Sequence, residues 1–477
     1  MLTILGLGPG NADDLTRRAW RALETADTVF LRTREHPCVP DLPLKAFTSF
    51  DDLYDSTPDF ASIYAAVAEC VIAAAAAGDV VYAVPGDPLV AEESVTRLIA
   101  AAKEASIAYT IINGMSFVEP VLSLLEIDAL DGLQLFDAAA IALAHHPPIN
   151  PDYPALLAQV FSRAVASDLK LTLMNQYPDE FEVALVHAAG TPDALVERLP
   201  LYEIDRSARI GHLTALYVPA LGGMSSFEQF QEIIAHLRAP EGCPWDRAQT
   251  HQSLRRFLLE ETYEVLEALD SEDAEALMGE LGDLLLQIVL HTQIAIDDGE
   301  FHMTDVLRAI SAKMVRRHPH VFGTASVDGA AGVVANWEAI KRQERAERGE
   351  PAPQSQLDGV SRALPALMRA YELQKAAAKV GFDWSDTADV IAKVREEIDE
   401  LIAAPPEEVE RELGDLLFVV VNWARHLNIE PESALRAACA KFTRRFQYIE
   451  RAADAPLAGM PPAQLDALWD EAKAKGL

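Results

Sequence analysis

Two stretches of the chain gather carboxylates at spacings that could hold a metal ion. Glu397 and Glu400 lie three apart, as do Glu412 and Asp415; upstream, Glu261 with Glu264 and Glu280 with Asp283 repeat the pattern. Residues three apart share a helix face, so each stretch should offer two carboxylate pairs from two successive helices. Each second pair lies in an ELGD segment running into an apolar stretch, LLFVVVNWA or LLLQIVLHT, which places the carboxylates at the mouth of a mostly buried helix. Facing carboxylates repel unless neutralised. Mg²⁺ is the natural neutraliser, because it takes oxygen ligands and keeps positions open for phosphate oxygens and water. One acidic run alone reads as a solvated helix face; recurrence of both pairs ahead of the same apolar helix favours the metal reading.

Cations follow in both stretches. Lys313 and Arg317 in AKMVRRHPH, and Lys441 and Arg445 in AKFTRRFQY, are four apart and share a face. Alone such a pair is a surface patch; after a carboxylate site it suits a phosphate clamp, since arginine can bind phosphate bidentately. Trp337 and Trp469 come next, in polar helical segments. Each could pack between helices or stack on a base. His291, inside an apolar run, reads as a satisfied core histidine.

Positioning these groups requires two helical domains. Glu261, Glu280, Lys313 and Trp337 correspond to Glu397, Glu412, Lys441 and Trp469, so the second half of the chain is a duplication with loop-length drift. Its copies are expected over 225–347 and 358–477, separated by the proline-containing linker Arg348–Gly359. Before Leu221–Ser226 (LGGMSS), a further linker, the texture differs. Short β-rich runs (LTILGLG, DTVFL, DVVYAV, YTIING, LKLTLMN, EVALVHA) alternate with helical segments at Asp59–Ala77 and Glu92–Ala105. That alternation implies an α/β domain over 1–222 with much parallel sheet.

The chain has 477 residues and a net charge of −34, shared equally between the two parts: 13 Lys+Arg stand against 30 Asp+Glu up to Gly222, and 27 against 44 after it. Such a field repels nucleic-acid backbones. Four widely separated cysteines, without a CxxC, fit a reducing cytoplasm, and the longest apolar run is too short to span a bilayer.

The motifs GCPWDRAQTHQSLRRFLLEETYEVLEAL, ELGDLLLQIVLH, RRHPHVFG and NWEAIKRQE resemble the MazG family of nucleoside triphosphate pyrophosphohydrolases. So do LPALMRAYELQKAAAKVGFDW and EEIDEL…ELGDLLFVVVNWARHL in the second copy. The resemblance implies an all-α fold, dimers pairing through their helices, Mg²⁺ dependence, and hydrolysis of nucleoside triphosphates to monophosphate and pyrophosphate. It carries the metal ligands onto Glu397, Glu400, Glu412 and Asp415, and substrate binding onto Lys441, Arg445 and Trp469. Glu261, Glu264, Glu280, Asp283, Lys313, Arg317 and Trp337 form the same set in the first copy, so no missing ligand says which copy works. Resemblance to two-copy members favours the second.

In the first domain, LGLGPGNADDLT (Leu5–Thr16), VPGDPLVAEES (Val84–Ser94) and INGMSF (Ile112–Phe117) are three strand-end turns. They should converge at the carboxyl edge of one sheet, where α/β folds bind ligands. The set resembles the tetrapyrrole (corrin/porphyrin) methylases. That implies a two-lobed fold binding S-adenosylmethionine through Pro9, Gly86, Asp87, Val90, Ser116, Phe117 and Met174. The chain departs from the family pattern at Asn11 and at Asn113, where an acidic residue and a proline are usual. Taken together, the chain resembles fused bacterial proteins joining a methylase-like domain to two MazG copies. The leading expectation is a pyrophosphohydrolase; the rivals are a bifunctional methyltransferase/pyrophosphohydrolase and a nucleotide sensor without turnover.

Overall fold

The computed structural model describes the chain except 57–58, 348–354 and 455. Most of the expected linker at Arg348–Gly359 therefore lies outside the described residues. The chain divides into two compact units, Met1–Ala248 and Gln249–Leu477.

The first unit holds two five-stranded sheets. Strands β1 (Leu2–Gly6), β2 (Val29–Leu31), β3 (Thr48–Ser49), β4 (Val80–Val84) and β5 (Tyr109–Ile112) form a parallel sheet in the order β3-β2-β4-β1-β5. The central strands are continuous apolar runs, as burial on both faces demands: Leu2, Ile4, Tyr82 and Val84 meet Val67, Val71 and Leu98 from flanking helices. Val67 and Val71 lie on α2 (Phe60–Ala77) and Leu98 on α3 (Glu93–Glu104), while α1 (Arg17–Thr25) buries Ala19 and Leu23 in a second cluster with Leu5, Leu7 and Val81. Thr16 caps α1 and Asp59 caps α2, each side chain accepting an N–H of the first turn.

The second sheet comprises β6 (Gln134–Asp137), β7 (Ala155–Ala158), β8 (Glu182–His187), β9 (Leu195–Pro200) and β10 (Thr214–Val218), in the order β6-β7-β10-β8-β9. Only β6 and β7 pair in parallel, so the expectation of parallel sheet holds for the first lobe and not here. The run LKLTLMN, read as β-rich, belongs to a helix, Arg163–Leu173. Ser162 caps that helix onto Val165, and Ala166, Leu169, Thr172 and Leu173 bury one face. The local alternation of apolar and polar residues is overridden by this longer helical period. After β10 the chain passes Gly222 and Gly223, both left-handed (φ 77° and 76°). Asp152 then accepts from the Ser225 and Ser226 amides and the Ser226 hydroxyl, tying this linker to the second lobe.

The second unit is helical: α4 (Arg255–Ser271), α5 (Ala274–Asp297), α6 (Met303–Arg317), α7 (Gly329–Glu347), then α8 (Ala366–Ala378), α9 (Thr387–Ala403), α10 (Val409–His426), α11 (Pro431–Ala452) and α12 (Pro462–Ala474). Helices α4 and α5 pack as a hairpin, and so do α9 and α10. Both ELGD segments lie within their helices rather than before them. The following apolar runs are not mostly buried. Val289, Leu290, Val419 and Val421 face inward, while Leu281, Leu285, Ile288, Leu413, Leu417 and Val420 stand exposed. Among the described residues, no helix is long and apolar enough to cross a membrane.

Candidate metal and nucleotide centres

In the second copy, α9 delivers Glu397 and α10 delivers Glu412 and Asp415. One carboxylate oxygen from each lies within 4.8 Å of the others. Glu397 and Glu412 are buried, and among the described residues Glu397 Oε2 has no hydrogen-bond partner. An orphaned buried carboxylate oxygen is costly unless a cation satisfies it, and an all-carboxylate donor set suits a hard divalent ion. Glu400, one turn further on, is exposed and outside this trio.

Two cations that the sequence reading missed stand beside the trio. Lys393 Nζ reaches Glu396 at 2.8 Å and Glu397 Oε1 at 2.9 Å, and both hold its ammonium well above the ordinary lysine range. Arg411 reaches Glu408 and Glu412 Oε1, each at 2.6 Å. The i, i+4 spacing of Lys393 and Glu397 was the available signal.

The first copy brings together Glu261, Glu264 and Glu280, again with carboxylate oxygens within 4.8 Å. Among the described residues no cation pairs with these three. Burial, then the nearby charges of Asp283 and Glu264, pushes the Glu261 carboxyl up from its ordinary value. The positions matching Lys393 and Arg411 are Phe257 and Gly279, so neither of these counter-charges is repeated in the first copy.

The cation and tryptophan groups pair in both copies. The Arg445 guanidinium lies 5.4 Å from the Trp469 ring centre, with Phe442 on the same ring at 5.4 Å. Arg445 Nε also donates to the Leu477 carbonyl at 2.6 Å. Arg317 lies 5.7 Å and Lys341 4.2 Å from the Trp337 ring centre. Lys441 is exposed and Lys313 half-buried. Among the described residues, no hydrogen bond or ion pair joins either carboxylate trio to the Lys, Arg and Trp groups of its copy. His291 differs from the expectation. It is half-buried and stacked on His251, with Nδ1 atoms 2.8 Å apart, while among the described residues its Nε2 has no partner.

In the α/β unit the three turns do converge. Gly8 and Gly86 bridge through paired backbone hydrogen bonds of 3.2 and 2.8 Å. A Cβ on Gly6 would strike the Gly86 carbonyl and the Gly114 amide, and one on Gly114 would strike Gly86 and Gly6. Asp87 is buried; its carboxylate accepts from the Leu89 amide at 2.8 Å and from the Asn113 side chain at 3.1 Å. Asn113, at a departure from the family pattern, thus orients Asp87. The Val90 amide donates to the Asp87 carbonyl, closing that turn. Ser116 is buried, donates to Glu119 and accepts from the Val118 amide, while Phe117 packs on the second-lobe sheet. A Cβ on Gly190 would strike Pro9, so the second lobe closes on the first turn. Met174 lies at the end of the Arg163–Leu173 helix, packed against the second-lobe core.

Comparison with known proteins matches this layout. Residues 1–205 match the model of the tetrapyrrole (corrin/porphyrin) methylases, and residues 249–322 and 386–449 match the MazG nucleotide pyrophosphohydrolase domain. The uncharacterized protein YabN of Bacillus subtilis is 42% identical over 491 residues, spanning 99% of this chain and 98% of that one. The nucleoside triphosphate pyrophosphohydrolase of Escherichia coli is 45% identical over 260 residues, 52% of this chain and 98% of the relative. The chain belongs to the MazG family. It carries two MazG copies behind a methylase-like α/β domain. Among solved structures, uroporphyrin-III-C-methyltransferase from Thermus thermophilus aligns with 46% of this MazG-family chain and 94% of its own, at 21% identity and a TM-score of 0.38.

Proposed function

We propose that the chain hydrolyses nucleoside triphosphates to nucleoside monophosphate and pyrophosphate, in a Mg²⁺-dependent reaction at the second MazG copy. The observation that carries this reading is the trio Glu397, Glu412 and Asp415 with its orphaned buried oxygen. Family membership supplies the reaction class. In the reaction, a water oxygen joins the α-phosphorus, the bond to the α,β-bridging oxygen breaks, and pyrophosphate leaves. Glu397, Glu412 and Asp415, with Glu400 at the rim, would hold Mg²⁺, which supplies charge neutralisation and a polarised water. Lys393 and Arg411 now neutralise the trio. Released from the carboxylates, they stand beside it to offset triphosphate charge. Arg445 and Lys441 clamp the phosphates, and Trp469 takes the base by stacking, which is indifferent to base identity.

The domains are assigned as 1–222, 225–347 and 358–477. The exposed apolar faces of α5 and α10 are assigned to a homodimer through the MazG helices, and the unpaired cysteines fit a cytoplasmic protein. In the first domain, the glycine cradle with Pro9, Gly86, Asp87, Val90, Ser116, Phe117 and Met174 is assigned to S-adenosylmethionine. Its support is the close approach of three turns with no Cβ between them. Calorimetric titration of S-adenosylmethionine into wild type and Asp87→Ala tests that assignment; equal heats in both would remove it. For the main reading, each nucleoside triphosphate is incubated with protein and Mg²⁺ and the products are separated. Monophosphate and pyrophosphate should appear in equal amounts. Diphosphate with orthophosphate would contradict the reading, and binding without products would favour the sensor.

A further inference from the structure

The two copies share a ligand pattern but not its state. In the first copy the phosphate side is already occupied from within. Glu344, on α7, is 4% exposed and takes both arginines at the end of α6. Arg316 Nε donates to Glu344 Oε1 at 2.7 Å, and Arg317 donates to Oε2 at 2.6 Å through a terminal nitrogen, with Nε at 3.3 Å from both oxygens. This is the forked geometry by which guanidinium groups bind phosphate. The pair of arginines holds the Glu344 carboxyl down to about 2. The same arrangement engages the base side, because Arg317 and Lys341 both lie over Trp337.

In the second copy Arg445 is engaged differently: its Nε donates to the Leu477 main-chain oxygen at 2.6 Å rather than to a glutamate side chain. Glu344 stands seven residues after Trp337, and seven after Trp469 stands Gly476. Among the described residues, no side-chain carboxylate pairs with Arg445. The metal side is reversed: among the described residues no cation pairs with the first trio, whereas Lys393 and Arg411 pair with the second.

We propose that Arg316, Arg317 and Trp337 form a second nucleoside triphosphate site, and that Glu344 keeps it closed by occupying the arginines as an internal phosphate mimic. The inference rests on the assignment of the matching second-copy groups to nucleotide. A tethered carboxylate competes at high effective concentration. Only the fraction of molecules with Glu344 displaced can bind, so the apparent affinity falls by that fraction. The first copy therefore presents an open carboxylate trio and a shut nucleotide side, and works as a closed or high-concentration nucleotide site beside the hydrolytic one.

The test is equilibrium binding of the α,β-methylene analogue of ATP, with Mg²⁺, to the full-length protein. Wild type should bind one analogue per chain at low concentration. Glu344→Gln should bind two, with the added site tightened on the order of tenfold or more. Arg317→Ala placed on Glu344→Gln should remove the added site, and Arg445→Ala should remove the other. Should Glu344→Gln fold poorly by circular dichroism, Glu344→Asp replaces it; its shorter arm weakens the lock, and a smaller gain in the same site is expected. Two equal sites in wild type, or no new site in a folded Glu344 variant, overturns the proposal. If wild type binds none and Glu344→Gln binds one, the lock stands and the second-copy assignment fails.

Discussion

At the scale of residues, the metal reading turns on carboxylates that repel one another when no cation is present. Glu261 illustrates the cost. Its carboxyl is raised above 4.5 in the folded chain by burial, Asp283 and Glu264. A folded-state value above the unfolded one means the native state holds the extra proton. Stability from this group is present below 4.5 and is lost as pH rises through the raised value. Divalent cation replaces that proton, so stabilisation by Mg²⁺ should grow as pH rises from 4.5 towards neutrality. Glu261→Gln removes one like-charge neighbour at helical spacing, worth roughly 0.5 kcal/mol. Thermal melts at pH 7 should show the variant above wild type without Mg²⁺ and level with or below it with Mg²⁺. A variant that melts lower in both conditions would show Glu261 serving packing alone. At Gly114 the constraint is steric: a Cβ meets Gly86 and Gly6 backbone. Gly114→Ala should cost about 1–3 kcal/mol, as overpacking does, and weaken S-adenosylmethionine binding by calorimetry. Unchanged binding would place the cofactor elsewhere.

At the scale of elements, the helices expose what their pattern leaves unpartnered. On α10, Leu413, Leu417 and Val420 lie four and then three apart, and on α5 Leu281, Leu285 and Ile288 do the same. Contiguous apolar stripes of this kind mark association surfaces. Leu417→Glu should therefore shift the protein towards monomer in light scattering after size exclusion; an unchanged mass would move the interface off this face. The same elements show what the sequence could and could not convey. Carboxylate spacing and duplication pointed to Glu397, Glu412 and Asp415 and to Glu261, Glu264 and Glu280, which cluster, but equally to Glu400 and Asp283, which stand outside these trios, because spacing on one helix does not say which member a second helix approaches. Exposure of the ELGD helices was not legible, because apolar content does not say which face finds a partner. The LKLTLMN segment was read as β-rich because a five-residue alternation hides an eleven-residue helical period that only the Ser162 cap and the buried face reveal.

At the scale of the molecule, the three strand-end turns were legible because glycine and turn residues follow each strand. The mostly antiparallel second sheet was not, because strand pairing is a tertiary choice. Of the groups that distinguish the copies, Lys393 was legible from its i, i+4 spacing to Glu397, whereas the meeting of Glu344 with Arg316 and Arg317 joins two separate helices and is a tertiary choice. That difference bears on the central claim, that hydrolysis belongs to the second copy. The direct measurement is pyrophosphate release from nucleoside triphosphate with Mg²⁺ by Glu412→Ala and, in parallel, by Glu280→Ala. The account predicts loss of at least about a hundredfold in Glu412→Ala, the scale for removing a ligand that fixes transition-state charge, with Glu280→Ala close to wild type. Release that survives Glu412→Ala and collapses in Glu280→Ala would contradict it.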